Sequence, residues 1–132
     1  MQNENDVLDE IFVDKNEPVD KSLLVDILKG YATIDNAGTI VYSEDYDKLV
    51  GHKKVLIYLC CKKAMILKGI NGIIESAGQS EVSESARVTL DVARNTLHKK
   101  HKKLLKKDGK GYIIPNYNLI KVKDIIKVEK NE

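Results

Sequence analysis

The chain has 132 residues, 42% of them apolar, a formal net charge of +2 and two cysteines. That length holds one domain, or one domain with a tail, and the apolar share can build a core, largely aliphatic because there is no Trp and one Phe. No apolar run approaches the roughly 20 residues that span a bilayer, adjacent Cys60 and Cys61 are not a zinc set, and MQNENDVLDEIF lacks the order of a signal peptide, so a cytoplasmic protein without membrane partners is expected.

The small total charge hides a strong polarity. Residues 1–50 hold 12 acids against 4 bases, a local charge of −8. Residues 87–110 hold 9 bases against 2 acids, a local charge of +7. A basic block of this kind is the footprint of a polyanion partner.

In chain order, residues 1–19 are polar and acidic with Pro18, and predict a disordered tail; the alternative is a weak docking helix built on Val7, Leu8, Ile11, Phe12 and Val13. An anionic tail is also expected to compete for a basic face. Residues 20–50 form an N-terminal extension. In it, Asp20 or Ser22 caps a helix over 23–28, closed by Gly30. Two β-rich runs, 31–35 and 39–43, flank Asn36-Ala37-Gly38 and read as a hairpin. Residues 44–49 are a polar connection. Residues 55–61 are seven consecutive apolar positions that suit a buried strand, but the run continues to Leu67 without a breaker, so length favours a helix. Cys60 and Cys61 are core residues within it.

Residues 80–115 carry the functional signal. Ser80 is a good N-cap for a helix over 80–87, with Glu81 and Glu84 at its positive end and Val82 and Ala86 facing the core. Val88 plugs a tight break, and Thr89 caps a second helix over 90–102. Ala93 and Leu97 share its inner face; Asp91, Arg94, Asn95 and His98 share the outer one. Arg suits guanine and Asn suits adenine. Lys99, Lys100, Lys102 and Lys103 suit phosphates. Asp108-Gly109 predicts a hairpin over 104–114, with Leu104-Leu105 pairing Ile113-Ile114 and Lys106, Lys107 and Lys110 at its tip. The alternative continues the helix through Leu105 to Lys107, with Gly109 as its C-cap. Leu119, Val122, Ile125 and Ile126 predict an amphipathic closing helix over 118–128.

The stretch S-E-V-S-E-S-A-R-V-T-L-D-V-A-R-N-T-L, followed by G-K-G-Y-I-I-P, resembles the winged helix-turn-helix of small bacterial and archaeal transcriptional regulators. With the helix before it, the resemblance covers about 60 residues. The upstream LKGYATID-NAG-TIVYS and KVLIYLCCKKAM are similar to archaeal proteins that carry such a domain. Two positions depart from the pattern. Arg87 stands where the turn usually takes Gly, which costs about 1 kcal/mol if its φ is positive. Lys100 stands where an apolar residue is common, so the second helix shifts register or ends early.

The resemblance implies an α+β fold: a winged helix-turn-helix over 51–132 with an extra N-terminal β-hairpin and a C-terminal amphipathic helix. It implies a double-stranded DNA-binding transcriptional regulator. Helix 90–102 would enter the major groove and wing 104–114 would lie on the backbone, with contacts from Thr89, Asp91, Arg94, Asn95, His98, Lys99, Lys102, Lys103, Lys106, Lys107 and Lys110. A homodimer is expected, joined by the last helix or the N-terminal hairpin. The alternatives are a winged-helix protein-interaction module and a nonspecific architectural DNA binder. No enzyme is expected: there is no Gly-rich phosphate loop, no G-x-S-x-G and no carboxylate pair in an apolar setting. His98 and His101 have metal-compatible spacing but no third ligand, so neither metal nor cofactor is expected.

Overall fold

Asp20 starts the first helix of the computed structural model, which describes residues 18–127. The expected docking helix over 7–13 and Val128 lie outside the described residues. The Asp20 carboxylate accepts the amide of Leu23 at 3.0 Å, and α1 covers Lys21–Leu28. This bond satisfies an amide that has no partner within its own helix. β1 (Ala32–Ile34) then pairs antiparallel with β2 (Ile40–Tyr42), Ala32 opposite Tyr42. Asp35 closes the turn by accepting the amides of Ala37 and Thr39, both at 2.9 Å. Residues 44–49, expected as a polar connection, contain the single-turn helix α2 (Glu44–Asp47), wound around a fully buried Tyr46.

The apolar run forms the central helix. α3 spans Gly51–Lys68 and buries every residue from 55 to 61, as length favoured over the strand alternative. Burial pushes both cysteine thiols up, Cys61 to about 12, so they are inert core atoms. Lys62 and Lys63 are buried too, and each has an anionic partner: Lys62 pairs with Glu81, and Lys63 lies 2.7 Å from Glu75 and 2.7 Å from the side-chain oxygen of Asn116. A buried ammonium is tolerated only when paired in this way.

α4 spans Gln79–Ala86. Its N-cap is Gly78, which corrects the expectation for Ser80; the cap lies two residues earlier and Ser80 falls inside the helix. Glu81 does more than face the helix dipole. It accepts the Tyr58 hydroxyl at 2.5 Å as well as pairing Lys62, and so ties α4 to α3. Arg87 then turns the chain at φ 64, ψ 47, the one non-glycine residue with positive φ among those described. α5 spans Leu90–Asn95 and continues as a π turn over Thr96–Lys100. β3 (Lys106–Asp108) and β4 (Gly111–Ile113) form an antiparallel hairpin, and Ala77 bridges the outer side of β4 at Tyr112. α6 spans Leu119–Lys127.

One cluster of buried residues runs from Leu24 to Ile126, joining the extension to the rest. Leu119, Val122 and Ile126 belong to it, because α6 packs on α1 and α3. The apolar stripe of the last helix is therefore core and is not offered to a second copy. The described residues are α+β, with six α-helices and two small antiparallel hairpins, and no helix among them is long and apolar enough to cross a membrane.

The guanidinium of Arg87, whose backbone is left-handed, lies 5.1 Å from the centroid of the Tyr42 ring. A cation over an aromatic face contributes about 0.5–1 kcal/mol at such a site. Arg87→Ala loses that contact and keeps the backbone strain, whereas Arg87→Gly loses the contact and relieves the strain. Urea titration should therefore find the glycine variant more stable than the alanine variant by about 1 kcal/mol. Equal stabilities would show that the turn is unstrained.

Candidate nucleic-acid interface

The basic block is laid out along α5, the π turn and the β3–β4 hairpin. Thr89 begins it: its hydroxyl oxygen accepts the amide of Val92 at 3.1 Å, the N-cap expected from the sequence. Ala93 and Leu97 face inward and are fully buried. Asp91, Arg94, Asn95, His98 and Lys99 are all exposed. Arg94 donates to Asp91 at 2.9 Å, an exposed pair one turn apart. Such a pair contributes little to stability. It does hold the guanidinium close to the helix, and a base contact by Arg94 would compete with it.

The helix expected over 90–102 changes form at Thr96. The Thr96 hydroxyl donates to the carbonyl of Val92 at 2.7 Å, and the amide of His101 reaches back five residues to the carbonyl of Thr96 at 3.1 Å. A π turn holds one extra residue. Its effect is readable in burial. In a regular helix, Ala93 and Leu97 would be followed on the inner face by Lys100. Here Lys100 is exposed and His101 takes the inward position. The helical run thus ends at Lys100, and Lys102 and Lys103 lie exposed in the turn that follows.

The hairpin is shorter than expected. Leu104 and Leu105 are half-buried against the core and lie outside the strands; Lys106, not Leu105, is the residue opposite Ile113. That register corrects both the paired Leu-Leu strand and the alternative of a helix running to Lys107. The reversal is made by Gly109-Lys110 between Asp108 and Gly111, with Gly109 at φ 64, so the tight turn sits one residue later than the Asp-Gly dipeptide indicated. Lys106, Lys107 and Lys110 are exposed. Tyr112 is a packing residue: its ring meets His98 with centroids 5.4 Å apart and carries the Lys107 ammonium at 5.9 Å. It thereby couples the hairpin to the helix before it.

The inner side of this region holds a contact that the sequence did not reveal. His52 Nδ1, near the start of α3, lies 2.8 Å from His101 Nε2. His101 therefore pairs with His52 and not with His98. Two neutral imidazoles can share one hydrogen at this distance; two protonated ones would set N–H against N–H. Burial, then the His52 and Lys100 charges, push His101 down to about 4. Burial, then Lys100 and Lys53, lower His52. No group of three or more His, Cys, Asp or Glu able to hold a metal occurs among the described residues.

The pair makes stability depend on pH. An unfolded His binds its proton near pH 6.5. Folded His101 does so only near 4. The unfolded state thus holds more protons between these values, and stability present above about 6.5 is lost as pH falls towards 4. From pH 7 to pH 5 the loss is on the order of 1 kcal/mol once solvent screening is allowed for. Thermal melts of wild type and His101→Gln across that range test this. Parallel slopes would sink it.

Comparison with protein-family models, with curated proteins and with solved structures found no match.

Proposed function

We propose that the protein binds double-stranded DNA as a transcriptional regulator, and that α4, the Arg87 turn, α5 and the β3–β4 hairpin act as a winged helix-turn-helix. The observation that carries this reading is the exposed face where Arg94, Asn95 and His98 stand together, continued by Lys99, Lys102 and Lys103 and by the lysines of the hairpin. Arg and Asn offer bidentate hydrogen bonds to guanine and adenine edges, and the lysines offer point charges to phosphates. In this reading α5 lies in the major groove with Arg94 and Asn95 on base edges. Thr89 reaches a phosphate at the helix start. Lys106, Lys107 and Lys110 follow the backbone beside it. Two copies would place two such helices about 34 Å apart on one side of the duplex. With the stripe of α6 buried, the β1–β2 hairpin, where Val41 is exposed, is the surface proposed for that contact.

The test is binding to a random-sequence duplex and to a selected one at several salt concentrations. About six phosphate contacts predict roughly a thousandfold loss of affinity between about 50 and 200 mM salt. Arg94→Ala should lose about 1–3 kcal/mol of discrimination between the two duplexes, while Lys106→Ala weakens both equally. Absence of DNA retention at low salt would leave an interaction module, and equal affinity for both duplexes would leave an architectural binder. A chain that sediments as a monomer at high micromolar concentration without DNA removes the dimer.

A further inference from the structure

An apolar groove lies on the side of the molecule formed by α1 and the C-terminal end of α3. Leu24, Val25 and Leu28 form one wall, Ala64 and Leu67 the other, and Ala32 closes it, around a volume of about 520 Å³. Val25 is 59% exposed and Leu67 41%, so the groove leaves aliphatic surface in water. Lys21, Lys29 and Lys68 stand on its rim. Contact between two aliphatic walls and a third apolar face is the ordinary way in which a helix pair is completed.

We infer that this groove is the docking site of the chain's own residues 7–14. Written on a helix, Val7, Leu8, Ile11 and Phe12 gather in one arc, while Asp6, Asp9, Glu10 and Asp14 occupy the other, with Val13 among them. Residues 1–17 carry six acids and one base, opposite in sign to the three rim lysines. Apolar burial and charge complementarity are therefore met together. The basic face of α5 offers this segment charge but no apolar surface of comparable extent.

The connection also fits. The six residues from Lys15 to Asp20 separate the segment from Lys21, where both α1 and the groove begin. Two antiparallel helices joined by 2–8 residues are a common hairpin. At about 1.5 Å per residue, an eight-residue helix is about 12 Å long. That equals the length of α1, which also has eight residues. Docking turns residues 7–14 back along α1, with Phe12 and Ile11 nearest the chain reversal and Val7 and Leu8 at the far end.

A nitroxide on the acidic side tests this in the full chain. The two native cysteines, Cys60 and Cys61, are fully buried, so the thiol introduced by Glu10→Cys is the one to label. Docking predicts loss of amide peak intensity around Val25, Ala32 and Leu67, and recovery of those peaks when Phe12→Glu is added. Unchanged shifts elsewhere confirm that the fold is intact. Leu67→Glu, at an exposed position, should restore the same peaks from the groove side. Full intensity at these amides in the labelled chain overturns the inference, as does intensity loss confined to the face of Arg94 and Lys103. Isotope-labelled chains mixed with spin-labelled ones supply the last arm. Intensity loss appearing only in that mixture would mean that a second copy fills the groove, and would overturn docking within one chain.

Discussion

Replacing Tyr46 with alanine is expected to cost about 3–5 kcal/mol, the range for truncating a large buried ring. That is a large part of the about 5–15 kcal/mol by which a domain is stable. The ring is fully buried and stacks on Tyr42 with centroids 3.8 Å apart. Its hydroxyl donates to the carbonyl of Ala86 at 2.5 Å, the last residue of α4, while Tyr42 donates to the carbonyl of Ser85 at 2.9 Å. The last carbonyls of a helix have no partner within it. Two tyrosines from the extension thus satisfy the end of α4, immediately before the Arg87 turn. Tyr46→Phe keeps the ring and strands a buried carbonyl, so about 1–3 kcal/mol is expected. Urea titration of the two variants separates ring from hydroxyl. A phenylalanine variant as stable as wild type would show that the carbonyl finds another donor.

Gly111→Ala is expected to detach the hairpin from the body of the protein. A Cβ at this position would lie 2.7 Å from both the amide nitrogen and the carbonyl carbon of Ala77 and 2.9 Å from its oxygen. These are backbone atoms, which cannot rotate aside. They are also the strand partner of the hairpin, since Ala77 and Tyr112 exchange hydrogen bonds of 3.1 and 2.9 Å. Overpacking of this kind costs about 2–3 kcal/mol. The readout is chemical denaturation together with hydrogen exchange at the Ala77 and Tyr112 amides, both of which should lose protection. Unchanged protection would mean that the strands separate at little cost. On the DNA-binding reading, the same variant also loses the backbone contacts of Lys106, Lys107 and Lys110 while Arg94 remains in place.

The parts legible in the sequence are those set by local chemistry. The apolar length of α3, the Asn-Ala-Gly turn of the first hairpin and the Thr89 cap each follow from side chains within a few residues of one another. The exposure of Arg94, Asn95 and the lysines around them follows from the inward pair Ala93 and Leu97. What was missed depends on partners far along the chain. The burial of Lys62 and Lys63 was not read from the sequence, because their partners Glu81 and Glu75 are distant in it. His52 and His101 are 49 residues apart. Tyr46 looks like one aromatic in a polar connection until α4 ends above it. Ser80 was favoured as a cap on propensity, but next to the bridge at Ala77 the cap falls two residues sooner, at Gly78. The Leu104-Leu105 strand failed because a π turn upstream moved the end of the helix.

That π turn sets the phase between the helix and the turn and hairpin that leave it. Successive residues of a helix advance by about 100°, so one extra residue rotates everything after it by about that angle. Asp91, Arg94 and Asn95 precede the insertion; Lys102, Lys103 and the hairpin follow it. Deleting a single residue within Thr96–Lys100 would restore a regular spiral and leave α5 where it is. It would also turn the exit of the helix through more than a quarter circle, directing Lys102 and Lys103 away from whatever Arg94 faces. The extra residue acts as an angular spacer, and the alignment of the two groups depends on it.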